Sequence, residues 1–171
     1  PLYLQNVLGL SALNTGLLLL PGGVVMAILS PIVGRLYDRV GPRPLVVPGA
    51  LVLSTALWGM TLLDQDTPVV LVIALHCLLN AGLGFIFTPL FTSSLGSLHR
   101  SLYSHGSAIL NTLQQLAGAA GTAVFITLMT TGTASALSEG AAAVPAAAAG
   151  VHTAFFWGAV VSLGALAVSF L

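Results

Sequence analysis

The sequence predicts an all-α polytopic membrane protein, and its composition and the placement of its few charges predict it together. Of 171 residues, 5% are charged and 57% are hydrophobic, against about 25% charged in an ordinary soluble domain. With a mean hydropathy of +1.04, the chain cannot cover a water-facing surface, so its outside must face lipid. The charges are also grouped. Arg35, Arg39 and Arg43 share one gap with Asp38, Arg100 sits in another, and Asp64, Asp66 and Glu139 occupy the gaps that alternate with these. Between the gaps, Pro44–Leu63, Thr67–His99 and Ser101–Ser138 carry no charged residue.

Each crossing needs about 20 apolar residues, which gives five full spans. Residues 1–9 read as the outer end of an earlier helix. Ser11, Asn14 and Thr15 form a polar turn, where Asn14 or Thr15 can cap the next helix by accepting orphan N–H groups. The first span is expected near residues 16–34 and the second near 44–63. Pro42, Pro44 and Pro48 suit a helix start, where a missing N–H costs least. After the turn Asp64–Pro68 comes a third span near 69–91. A polar stretch at 92–105 precedes the fourth, near 106–129, and an Ala/Gly-rich loop at 130–150 leads to the last, 151–171. The chain opens on Pro1 and an apolar run with no visible signal peptide, so it reads as a piece of a longer one.

Arginines near span ends stay on the cytoplasmic side, whereas acids carry little topological weight. The gaps at 35–43 and 92–105 therefore face the cytoplasm, 64–68 and 130–150 face outward, and the C-terminus lies inside. A net charge of +0 argues against nucleic acid and offers no polybasic patch for lipid headgroups. Cys77 stands alone inside an apolar run, which rules out an intrachain disulfide framework. No Walker loop and no nucleophile arrangement is present, so the reading is neither an ATPase nor an enzyme, with no cofactor and no metal site.

One gap carries a motif. Gly34-Arg35-Leu36-Tyr37-Asp38-Arg39-Val40-Gly41-Pro42-Arg43 resembles the cytoplasmic signature of the major facilitator superfamily, G-x-L-x-D-R-x-G-[RK]-[RK]. Gly34, Leu36, Asp38, Arg39, Gly41 and Arg43 match, and Pro42 departs where a first basic residue is usual. The bland alternative is a positive-inside hairpin turn. YLQNVLG before a span, GLLLLPGG within it and NTLQQLAGAAGTA in a later one extend the resemblance to fourteen-span drug:proton antiporters. That resemblance implies a partial C-terminal transmembrane domain over residues 1–171, from a multi-pass protein of a bacterial plasma membrane. It also implies small-molecule efflux by alternating access, the motif acting as a cytoplasmic gate and the third span lining the cavity. The family's Gly-Pro-Gly antiporter helix is absent. An importer of the same fold, and a non-transporting truncated subunit, stay open as alternatives.

Cargo would meet the fourth span. Asn111, Gln115, Gly118 and Thr122 recur at helical spacing and form one polar, small-residue stripe, while Gln114 points about 100° away from Gln115. Unpaired amides are costly in hydrocarbon, so the stripe faces protein or water. Helix–helix glue, with Ala117, Gly118 and Gly121 allowing close approach, competes with cavity lining. His76 and Asn80 form an i, i+4 pair on the third span, either a neutral hydrogen-bonded histidine or a proton carrier. The prolines and glycines at Pro21–Gly23, Pro31, Gly82, Gly84 and Pro89 read as kinks or static bends. No carboxylate lies within any span. If protons are a coupling partner, the acid that carries them belongs to the missing N-terminal half.

Overall fold

A computed structural model describes residues 1–64 and 66–170. Gln65 of the outward turn and Leu171 at the end of the last expected span lie outside the described residues. A chain that crosses hydrocarbon must satisfy its own backbone groups, which leaves the helix as the open choice for these segments. The described residues form α1 (Leu2–Asn6), α2 (Ala12–Val40), α3 (Arg43–Met60), α4 (Val69–Gly96), α5 (Tyr103–Ser138) and α6 (Ala143–Ser169). A 3-10 turn, Arg100–Leu102, precedes α5. Helices α2 to α6 are each long and apolar enough to cross a membrane.

Helices α2, α4, α5 and α6 outrun the apolar runs that announce them, whereas α3 stops at Met60, short of the expected residue 63. Ser11, rather than Asn14 or Thr15, caps α2, its Oγ accepting from the Asn14 N–H at 3.3 Å. Thr15 is instead buried, with its hydroxyl unpaired. At the other end α2 continues through the charged motif and stops only at Gly41, where φ is +77°. Most of the motif, Gly34 to Val40, is thus the last turns of a helix, and only Gly41 and Pro42 separate it from Arg43 at the start of α3. Pro21 and Pro31 sit inside α2, Pro48 inside α3 and Pro89 inside α4, and each helix runs on through them. The expected loop at 130–150 shrinks to residues 139–142, with α5 before it and α6 after it. Alanine is the strongest helix former, so the Ala-rich stretch after residue 140 joins α6, while α5 runs on through Thr130, Thr131 and Thr133, whose hydroxyls donate to carbonyls one turn back.

Close approach at small residues sets which helices touch. A Cβ on Gly82 of α4 would lie 2.7 Å from the Leu53 backbone nitrogen of α3, and one on Gly49 would lie 2.7 Å from the Phe85 Cβ. Between α5 and α6, a Cβ on Gly132 would lie 3.0 Å from the Gly150 Cα. In hydrocarbon no hydrophobic force gathers helices, so such backbone approach does much of the work. The pairs run antiparallel: Ser162 of α6 donates to Ser54 of α3 at 2.9 Å, and Trp58 meets Phe156 edge-on at 6.0 Å. Helix α4 lies between α2 and α3, α3 also meets α6, and α6 carries α5.

This alternation puts Arg35, Arg39, Arg43 and Arg100 at one end of the bundle. At the other end, Tyr3, Leu4, Val7, Met60, Leu63, Val72 and Val151 bury one another. There the Tyr3 hydroxyl donates to the Asp64 carbonyl and ties α1 to the α3–α4 turn.

Gly41 occupies a backbone region that L-residues enter at a cost of about 1–3 kcal/mol. We expect Gly41→Ala to lower the thermal unfolding temperature of the detergent-solubilised protein. Gly23→Ala, a helical position where a Cβ meets open space, should instead stabilise by about 0.5–1 kcal/mol. Equal effects from the two substitutions would contradict this account of the α2–α3 turn.

Candidate functional site

Helices α4 and α5 are consecutive in the chain, yet they barely touch. A crevice separates them. Toward the outer end it opens into a cavity of about 640 Å³, bordered by Val72, His76 and Leu79 of α4, Thr122 and Phe125 of α5, and Phe155 of α6. Phe125 and Phe155 meet edge-on at 5.4 Å, an arrangement favoured by the ring quadrupoles. Toward the arginine end lies a second cavity of about 950 Å³, between Phe87, Phe91 and Ser94 of α4 and Asn111, Gln114, Gln115 and Gly118 of α5.

The stripe expected on the fourth span therefore runs along this crevice. Thr122 borders the outer cavity, while Asn111, Gln115 and Gly118 border the inner one. Every residue from 111 to 124 is exposed. A Cβ on Gly118 or Gly121 would meet open space, so within this chain these glycines make no close helix contact. That role falls to Gly132 and Gly150, which composition alone did not single out. Gln114 borders the inner cavity as well as Gln115, although their side chains leave the helix about 100° apart, because the opening is wide enough to take both.

His76 and Asn80 are brought together as their spacing demands. Asn80 Nδ2 lies 3.2 Å from His76 Nε2 and donates to the His76 carbonyl at 2.9 Å. An amide nitrogen only donates, so Nε2 is the acceptor and the imidazole proton sits on Nδ1. His76 borders the outer cavity, whereas Asn80 supports it from one turn further along.

The motif residues are spread over the end of α2 and the start of α3. Leu36, Asp38, Arg39 and Arg43 are exposed, and Gly34 and Gly41 are half-buried. A Cβ on Gly34 would touch Thr88 of α4 at 3.9 Å, an ordinary contact. The link from the motif to the bundle is one that spacing did not reveal. The Tyr37 hydroxyl lies 3.0 Å from the Ser93 hydroxyl of α4, which joins the charged end of α2 to the helix carrying His76.

Comparison with known proteins identifies the family of this helical bundle. Residues 1–122 match the family model described as Major Facilitator Superfamily. The chain belongs to the major facilitator superfamily. It is 42% identical over 167 residues to the lincomycin resistance protein LmrB of Listeria monocytogenes, a match covering 95% of this chain and 36% of that protein. The LmrB of Bacillus subtilis is 40% identical over 169 residues, covering 95% and 35%. The puromycin resistance protein pur8 of Streptomyces alboniger is 31% identical over 141 residues, covering 80% and 28%. The chain thus spans about a third of the length of its LmrB relatives, and it is an integral, multi-pass piece of a major facilitator bundle.

If the crevice holds water, Gln115→Cys in the full-length protein with Cys77→Ala should react readily with a hydrophilic maleimide. Ile109→Cys, exposed but bordering neither cavity, should stay unreactive in lipid. Protection of both positions would place the stripe inside a helix–helix seam instead.

Proposed function

We propose that this chain is the C-terminal part of a proton-coupled exporter of small, largely apolar drugs, working by alternating access. The observation that carries the reading is the α4–α5 crevice. It is apolar and aromatic along its walls, with His76, Thr122, Asn111 and Gln115 as sparse polar points, which is how small-molecule sites are usually lined. Its surroundings support the same reading. Three matched relatives carry antibiotic-resistance names, and the motif stands at one end of the crevice-forming bundle. Two helical halves would rock around a site near the bilayer midplane, with the other half contributing the second wall.

Under this proposal the arginine end and the C-terminus are cytoplasmic, because positive residues remain on that side. Asp38, Arg39 and Arg43 act as the inner gate, and Tyr37 passes their state to α4. Such residues bias an equilibrium only through contacts that differ between the two states. The coupling carboxylate lies in another part of the protein, since Asp38, near the end of α2, is the one acid within α2–α6, and Asp64, Asp66 and Glu139 fall between helices.

Lincomycin accumulation in energised inverted vesicles, where an exporter pumps cargo into the lumen, tests the whole reading. Asp38→Asn should reduce it by at least about fivefold, the low end of typical coupling energies, with unchanged protein in the membrane. Near-normal accumulation would remove the gate role, and movement of preloaded lincomycin out of the vesicles would favour an importer.

A further inference from the structure

Helices α2 and α4 run parallel and in register. Gly84 faces Met26 and Leu29, Gly34 faces Thr88, and Tyr37 meets Ser93. In the outer half of this seam Gly22 is buried between Pro21 and Gly23, and its neighbours differ from those of the other close glycines. Gly82 and Gly49 meet backbone and apolar carbon, and Gly132 and Gly150 meet threonines and backbone. A Cβ on Gly22 would lie 2.7 Å from His76 Nε2 and 2.7 Å from Asn80 Nδ2, and nearer still to His76 Cδ2. Both sides of one hydrogen bond therefore rest on the bare backbone of α2.

The consequence is geometric. The Asn80 amide is pinned to the His76 carbonyl by one hydrogen and to the imidazole Nε2 by its other. The ring is held between that amide, the Gly22 surface and the Leu19 backbone of α2, and it borders the outer cavity. A methyl group at position 22 has no room unless α2 retreats from α4 or the imidazole swings toward the cavity. Swinging is the easier path, because the cavity is open while the α2–α4 seam is packed along its length. We propose that Gly22 is a positioning residue for cargo recognition, fixing where His76 presents itself to the outer cavity. This rests on the transport reading above for its functional part, but the placement of His76 stands on its own.

The experiment uses the full-length protein in liposomes. An imidazole nitrogen with a free lone pair attacks a carbonyl carbon of diethyl pyrocarbonate and expels ethyl carbonate, and Asn80 occupies the lone pair of Nε2. Mass spectrometry of carbethoxylated peptides should show His76 reacting slowly in the wild type. In Gly22→Ala the rate should rise about fivefold, the factor that one lost hydrogen bond of ~1 kcal/mol converts to. His99 and His105, exposed and remote from the seam, serve as internal references and should not change. Should Gly22→Ala fail to insert, Asn80→Ala releases the same nitrogen without touching α2, and the same rise is expected. An unchanged His76 rate in a correctly inserted Gly22→Ala protein overturns the proposal.

Transport separates positioning from mere packing. With lincomycin as the probe, Gly22→Ala should raise KM several-fold with little change in kcat, and should add nothing in a His76→Ala background. Equal losses in the two backgrounds would make Gly22 a packing residue and overturn the recognition role. A wild type that carries no lincomycin would remove the efflux reading, while the His76 footprint would still decide the placement.

Discussion

An arginine or aspartate at the centre of a bilayer costs about 3 kcal/mol or more, and the layout of this chain follows from avoiding that cost. Its charges fall at helix ends and in short turns, so each uncharged stretch must cross as one helix. The crossings then alternate, and alternation collects all four arginines at one end of the bundle. The major facilitator motif is part of that same arrangement, since it is the charged end of α2 where the chain turns back.

Within the bundle, small residues decide which neighbours meet. Gly49 with Gly82, Gly132 with Gly150, and Gly22 with His76 are three approaches that a larger side chain would prevent. They bind α2, α3 and α4 into one group and α5 with α6 into another, joined where α3 meets α6. No comparable contact draws α5 onto α4. The crevice is what remains between them, and it holds the polar side chains that lipid would penalise most.

Fold class, the number of crossings and the motif were legible because hydrocarbon imposes a strong, simple pattern on sequence. Helix ends were not. Backbone hydrogen bonding continues wherever residues tolerate it, so Arg35–Val40 and the alanines around 143–150 stay helical beyond the expected spans. The Asn111-to-Thr122 stripe was legible from 3.6-residue periodicity, but its fate was not, because spacing along one helix says nothing about what stands opposite. Tyr37 with Ser93 and Gly22 with His76 are contacts between distant segments, and no local signal announces them.

Two-sided thiol labelling tests the shared premise most directly. Thr67→Cys, in the α3–α4 turn, and Ser101→Cys, in the turn before α5, lie at opposite ends of the bundle. In intact cells expressing the full-length protein with Cys77→Ala, an impermeant maleimide added outside should label position 67 and leave 101 untouched until the membrane is opened. Equal labelling of the two from outside would mean that these segments do not cross as described, and the crevice would lose its bilayer.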